Sequence, residues 1–160
     1  MGSRRHGVGI RGSVLAFAAV LVLGACGGDS SGPDGGGSVA GPGFMVGDWI
    51  ATALVVTSQI NPAVSVDLIA QGATFTLLVQ PSGRYTAILS GFGQASSESG
   101  TLSVEGTEVV FRRTIPTPEV SRSTFVRNSS DVTLTGPTEF DFNLDGEVEA
   151  ATLVITLTPR

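Results

Sequence analysis

The sequence predicts an all-β fold, a small antiparallel up-and-down barrel of about eight or nine strands. Residues 44–160 are rich in Thr, Val, Ser and Gly and hold no lysine, a composition that suits a pleated, half-buried surface better than a helix. Turn signals recur at short intervals, and between them apolar and polar residues alternate with a period of two. One face inward and one face wet is what a small barrel or sandwich requires.

The candidate strands follow in order. Trp49 to Ser58 is the first. Ala73 to Gln80 and Arg84 to Gly91 flank the turn Pro81-Ser82-Gly83, with Phe75, Leu77 and Val79 on one face, and Tyr85, Ala87 and Leu89 on the corresponding face of the next strand. Thr101 to Glu105 and Thr107 to Ile115 meet at Glu105-Gly106, and Pro116 and Pro118 interrupt before Arg122 to Arg127. Val132 to Leu134, Glu139 to Leu144 and Ala151 to Thr158 complete the set, with Phe140, Phe142 and Leu144 sharing a face. Leu78 and Ile88 break the alternation, which suggests an element covering part of the outside. The candidate cover is Asn61 to Gly72, expected as a short helix over residues 62–71. Asn61 suits an N-cap, Pro62 the first helical position and Gly72 the left-handed residue past the end. Val64 and Val66 pull against it.

The front of the chain is of a different kind. Arg4, Arg5, His6 and Arg11 precede an uncharged run from Gly12 to Ala25, too short at ~1.5 Å per residue to cross the ~30 Å hydrocarbon core, and so read as an export signal over residues 1–25. Leu23-Gly24-Ala25-Cys26 resembles the lipobox of bacterial lipoproteins. That resemblance implies cleavage before Cys26, a diacylglycerol thioether on its sulfur and acylation of the new amine, hence a permanent membrane anchor. By analogy with enteric lipoproteins, Gly27 after the cysteine points to the outer membrane where the host has one. Residues 26–43 are Gly, Ser, Asp, Pro and small residues that cannot bury enough apolar surface to fold, giving a tether with a mean span on the order of 20–25 Å. Residues 44–160 then form one domain, and with Cys26 the only cysteine, no disulfide supports it.

After cleavage, Arg84, Arg112, Arg113, Arg122, Arg127 and Arg160 stand against all fourteen carboxylates. That surface repels phosphate backbones, so nucleic acid is not an expected partner, and charge does not draw it to anionic lipid. With His6 removed, Cys26 acylated and no lysine, the chain lacks a Ser-His-Asp or Cys-His nucleophile, a Schiff-base amine and the ligands favoured by zinc or copper. No enzymatic activity is expected. The one ligand-like spacing is Asp141, Asn143, Asp145, Gly146 and Glu147, alternate oxygen side chains and a glycine as in the first half of a calcium-binding EF-hand loop. The twelfth position of such a loop is Thr152, and the same residues read as strand alternation around an Asp145-Gly146 hairpin turn.

Gly47-Asp48-Trp49 matches the G-x-W that opens the first strand of lipocalins, and the strand rhythm from Gly47 to about Leu157 resembles bacterial lipocalin-like domains. The resemblance implies that Trp49 closes the base of a barrel and that an arginine, Arg112 or Arg113, stacks on it; an inward arginine would alternatively meet an acidic ligand, while the residues themselves read first as strand-end side chains that both reach solvent. Two functions stay open. The leading expectation is a lipid-anchored, non-enzymatic barrel that holds a small apolar molecule or lipid. The alternative is a barrel filled by its own side chains, serving as a surface interaction, assembly or inhibitory module.

Overall fold

The computed structural model describes residues 41–160. A 3-10 turn, Gly43–Met45, leads into nine strands: β1 (Gly47–Ser58), β2 (Ser65–Asp67), β3 (Thr74–Val79), β4 (Arg84–Gly91), β5 (Gln94–Glu105), β6 (Glu108–Ile115), β7 (Glu119–Asn128), β8 (Asp131–Phe140) and β9 (Glu149–Pro159). From β3 to β9 each strand pairs with the next, and β1 pairs with both β3 and β9, closing an eight-stranded antiparallel barrel to which β2 is added. The closing ladder runs from Trp49↔Pro159 to Ser58↔Ala151. This is the fold that the period-two alternation and the Gly47-Asp48-Trp49 resemblance imply.

The apolar faces meet inside. Met45, Trp49, Leu77, Val79, Leu102, Val109, Val132, Leu134 and Leu157 are all exposed by 6% or less, and each fully buried aliphatic side chain contributes roughly 1.5–3 kcal/mol. Outward positions carry Thr, Ser and charge, the reverse of a membrane-spanning barrel with its apolar outer band. β1 serves both halves of the core because its register shifts between Ala51 and Ala53. Trp49 and Ala51 face inward before the bulge, and Leu54, Val56 and Ser58 after it.

Three elements differ from the sequence expectation. The helix over 62–71 is absent: Ser65–Asp67 is a strand, with Val66 opposite Val56, so β-branched residues beside a free edge of β1 prevail over the capping signals. Asp67 Oδ1 then accepts from the Leu54, Ile69 and Ala70 amides, ordering a turn that packs Leu68 and Ile69 against the core. Leu78 and Ile88 stay uncovered, 48% and 42% exposed.

Second, the segments around 132–134 and 139–140 are one strand, β8, continuous through Pro137. The β7–β8 ladder stops at Thr124↔Thr135 while the β8–β9 ladder continues to Phe140↔Glu149. Beyond Thr135 one side of β8 is an edge, where a proline forfeits no ladder hydrogen bond. Third, residues 141–148 are a loop instead of strand and tight hairpin. Phe142 still packs on Phe140, centroids 4.9 Å apart, whereas Leu144 is 75% exposed.

Gly100 permits the bend between β5 and β6. A Cβ there would lie 2.1 Å from the Arg112 carbonyl oxygen, whereas one on Gly136 would first meet the Ser123 hydroxyl at 2.7 Å, a group that can rotate away. Gly100→Ala should therefore lower stability by about 2–3 kcal/mol and Gly136→Ala by less, read as a shift in urea midpoint at constant slope.

Candidate functional site

The two ends of the barrel differ. At the base, where β1 begins, the Trp49 indole donates to the Met45 carbonyl over 2.9 Å, and Met45 is fully buried. Phe44 stacks on Phe125 at 4.8 Å, and the Arg127 guanidinium lies 4.5 Å over the Phe44 ring. Trp49 thus takes the base position that the resemblance implies, but the cation stacked there is Arg127, on Phe44.

Arg112 and Arg113 point opposite ways. Outward, Arg112 donates to the Ser103 hydroxyl and to Glu105, each at 2.8 Å, and Arg122 bridges Glu105 and Glu108. The hydrogen bond from Arg112 and then that from Ser103 hold the Glu105 carboxyl below its ordinary range, and the bond to Glu108 raises Arg122. Val110 is fully buried beneath this outer network, as the stems of long charged side chains cover apolar wall. Beside it a recess of about 470 Å³, lined in part by Gly41, Pro42, Gly83 and Arg112, opens to solvent.

Arg113 turns inward, in the half of the barrel away from the base. It pairs with Glu98 at 3.4 Å and with Glu119, and its Nε donates to the Thr117 carbonyl at 2.8 Å. Tyr85 completes the cluster by donating to Glu98 over 3.3 Å, with its ring edge-on to Phe111 at 5.3 Å. Burial first, and then the charge of Glu98, raise the Tyr85 phenol well above its usual range, so it is a donor and never a base. Each nitrogen of the Arg113 guanidinium reaches an acceptor. A carboxylate ligand entering the barrel would meet a guanidinium already shared by two glutamates.

Above this cluster lies the rim, where the wall loosens at two seams. β1 leaves β3 after Ile50↔Thr76, a gap that β2 and the turn after it occupy, and β7 leaves β8 after Thr124↔Thr135. Phe75, Leu89, Phe140 and Phe142 are half-buried here. The connections at this end each carry an exposed apolar residue: Ile60 before β2 (77%), Phe92 between β4 and β5 (62%), Ile115 ending β6 (60%) and Leu144 between β8 and β9 (75%). Phe92 and Leu144 hold φ of 53° and 61°, a region where glycine or asparagine costs less. The base turns at 81–83, 106–107 and 129–130 carry none of these exposed apolar residues.

Charge follows the same axis. Asp67, Glu98, Glu119, Glu139, Asp141, Asp145, Glu147 and Glu149 belong to the rim half, with Arg113 as its arginine; Arg84, Arg112, Arg122, Arg127 and Arg160 belong to the base half, beside Asp48, Glu105, Glu108 and Asp131. The calcium candidates Asp141, Asn143, Asp145 and Glu147 come together in the 141–148 loop. Asp141 Oδ2 accepts from the Gly146 amide, Asn143 Oδ1 from the Asp145 amide and Asp145 Oδ1 from the Glu147 amide, at 2.8, 3.1 and 2.8 Å. Side-chain oxygens thus hold the loop by bonding its own backbone, and among the described residues no three acidic, His or Cys side chains gather as a metal-binding group. The alternating spacing reflects this loop. Sequence reading missed Glu98 and Glu119 because the outer part of β5, QASSESG, and the start of β7 show no apolar alternation. Cys26 lies outside the described residues.

No family model matches the chain, and no curated protein matches it. Among solved structures it is similar to a lipoprotein, YedD, from Klebsiella pneumoniae subsp. pneumoniae MGH 78578, at 12% identity over 76% of this chain and 75% of that one, with a TM-score of 0.42. A likeness of that size carries nothing about ligand or role.

Two outcomes follow. Arg113→Met leaves two inward glutamates without their cation and should cost about 1–3 kcal/mol, part of it recovered when Glu98→Gln and Glu119→Gln are added, as urea denaturation of the mutant cycle reads. The melting temperature in millimolar calcium should equal that in chelator; a rise in calcium would show that the loop's oxygens take the ion.

Proposed function

We propose that this protein is a non-enzymatic lipoprotein, exported and held to the cell envelope by fatty chains on Cys26, and that its barrel is a surface interaction module. The observation that carries the module reading is the filled interior. The base half is packed by Leu, Val, Met and Trp side chains exposed by 6% or less, and the inward Arg113 is bound by Glu98 and Glu119. Small barrels are often filled by their own side chains in this way. A solid core turns function to the outside, and of the two functions open on the sequence the geometry favours this one.

The anchor reading is supported by the basic start, the apolar run and Leu23-Gly24-Ala25-Cys26. Gly27 favours the outer membrane where the host has one. The Gly/Ser-rich stretch before the barrel gives the module reach from the membrane surface. A carrier reading survives at the rim alone, where the half-buried Phe75, Leu89, Phe140 and Phe142 offer apolar surface to a small neutral molecule. Nucleic acid is not proposed as a partner, because the carboxylates outnumber the arginines more than two to one in the chain after cleavage.

Metabolic labelling with a palmitate analogue should mark the wild-type protein and leave Cys26→Ser unmarked; an unlabelled wild type contradicts the anchor. Native mass spectrometry of the protein purified from its own host should give the bare processed mass. A co-purifying small molecule would transfer the proposal from module to carrier.

A further inference from the structure

We propose that the rim of the barrel is the docking surface of this module, and that its partner is a cationic amphipathic segment of another protein. The inference rests on the module reading above and adds where the partner binds and what chemistry it presents. Ile60, Phe92, Ile115 and Leu144 stand at least 60% exposed on four separate connections, all at one end. Val120 and Val126, equally exposed on β7, are single apolar residues of the kind ordinary on a protein surface, whereas each of the four connections at this end carries one, a recurrence that marks contact with a partner. Phe92 and Leu144 sit at left-handed backbone positions, where a glycine or asparagine would be both cheaper and more soluble.

Charge selects the occupant. The rim half carries eight carboxylates, those of Asp67, Glu98, Glu119 and the five between Glu139 and Glu149, against Arg113 alone, which Glu98 and Glu119 share, while the base half carries five of the six arginines among the described residues. A field of that polarity steers cations to the rim and turns anionic surfaces away, and salt weakens both effects. An anionic membrane is therefore excluded as the occupant, and so is a second copy docking rim to rim, which would bring like charges together. The exposed carboxylates of Asp145 and Glu147 in the 141–148 loop are acceptors that a lysine or arginine donor can reach. Aliphatic residues of the same segment would cover the apolar tips. The chain enters the barrel at the base, where the Gly41 carbonyl accepts from the Val104 amide over 2.7 Å, so a lipid anchor leads from the end opposite the docking surface.

The test uses the full mature protein in detergent micelles and a fluorescent synthetic peptide of lysine and leucine in amphipathic helical order, followed by anisotropy with protein-free micelles at the same detergent concentration as the reference. Binding is expected, and should weaken about tenfold or more between low and physiological salt. Phe92→Ser with Leu144→Ser, and separately Glu147→Gln with Glu149→Gln, should each weaken it about tenfold, with melting temperatures showing the fold retained. Arg84→Gln with Glu108→Gln, at the base, should leave affinity unchanged. The same peptide with glutamate in place of lysine should not bind, and the Cys26→Ser protein, mixed with phosphatidylglycerol vesicles without peptide, should not sediment with them. Absence of binding, equal binding by the rim variants, binding of the acidic peptide or co-sedimentation of the protein with the vesicles overturns the proposal. Measuring Cys26→Ser in parallel keeps the anchor separate, since its peptide affinity should match the wild type whatever the palmitate result.

Discussion

Closure of the sheet is the constraint on which the rest of this structure depends. A curved sheet with free edges would expose unpaired amides and carbonyls along both margins, and the ladder between β1 and β9, from Trp49↔Pro159 to Ser58↔Ala151, removes them. Closure also fixes which residues face inward, because side chains alternate along every strand and a slip of one residue would turn each apolar face to water. β1 has the hardest task, since it begins against β3 and ends against β2 while following β9 throughout. The register shift at Thr52 lets it keep apolar residues inside on both sides of the change.

The difference between the two ends is a consequence of how that closure is distributed. Near the base the turns are short, and Met45 and Trp49 are buried in the interior. Toward the rim two ladders stop early, and the wall must be completed by other means: β2 and its Asp67-capped turn at one seam, and Pro137 tolerated on a bare edge at the other. Polar groups enter the interior where the wall loosens. Arg113, Glu98, Glu119 and the Tyr85 hydroxyl satisfy one another there, and the arrangement needs Gly100, where a Cβ would meet the Arg112 carbonyl.

What was readable in the sequence follows from this division. Phe75, Leu77 and Val79, or Tyr85, Ala87 and Leu89, announce their strands because one face of each lies against a dry core, and Gly47-Asp48-Trp49 announces the base because the indole must find a buried acceptor. The rim is harder to read. The outer part of β5 carries Ser, Glu and Gly on both faces, so no period betrays it. Asn61, Pro62 and Gly72 carry helix signals that a free edge of β1 overrides, and Pro137 looks like a break only while β8 is imagined paired on both sides. Of the two arginines, one had to turn inward; its partners come from β5 and β7, distant in sequence and brought together only by the barrel. The oxygen spacing at 141–147 was visible, but alternate Asx residues bond backbone as readily as they bind a cation.

A solid barrel places its specificity on its surface, and this surface is polarised in two properties at once. Electrostatic attraction alone would give fast association with little discrimination, because carboxylates attract any cation. Apolar tips alone would invite self-association. Together they exclude the common wrong partners: anionic membranes and other copies of the rim by charge, and small cations by their failure to bury Ile60, Phe92, Ile115 and Leu144. The arginines remaining at the base are mostly tied down, Arg112 and Arg122 by Glu105 and Glu108 and Arg127 over Phe44, so the base offers less free positive charge than its count of arginines suggests. At the rim Arg113 is shared by Glu98 and Glu119, and the carboxylates left without a cation are those of β2, the end of β8, the 141–148 loop and the start of β9. Selectivity for a cationic amphipathic segment therefore follows from where closure of the sheet left its acids and its apolar tips, without an interior cavity being needed.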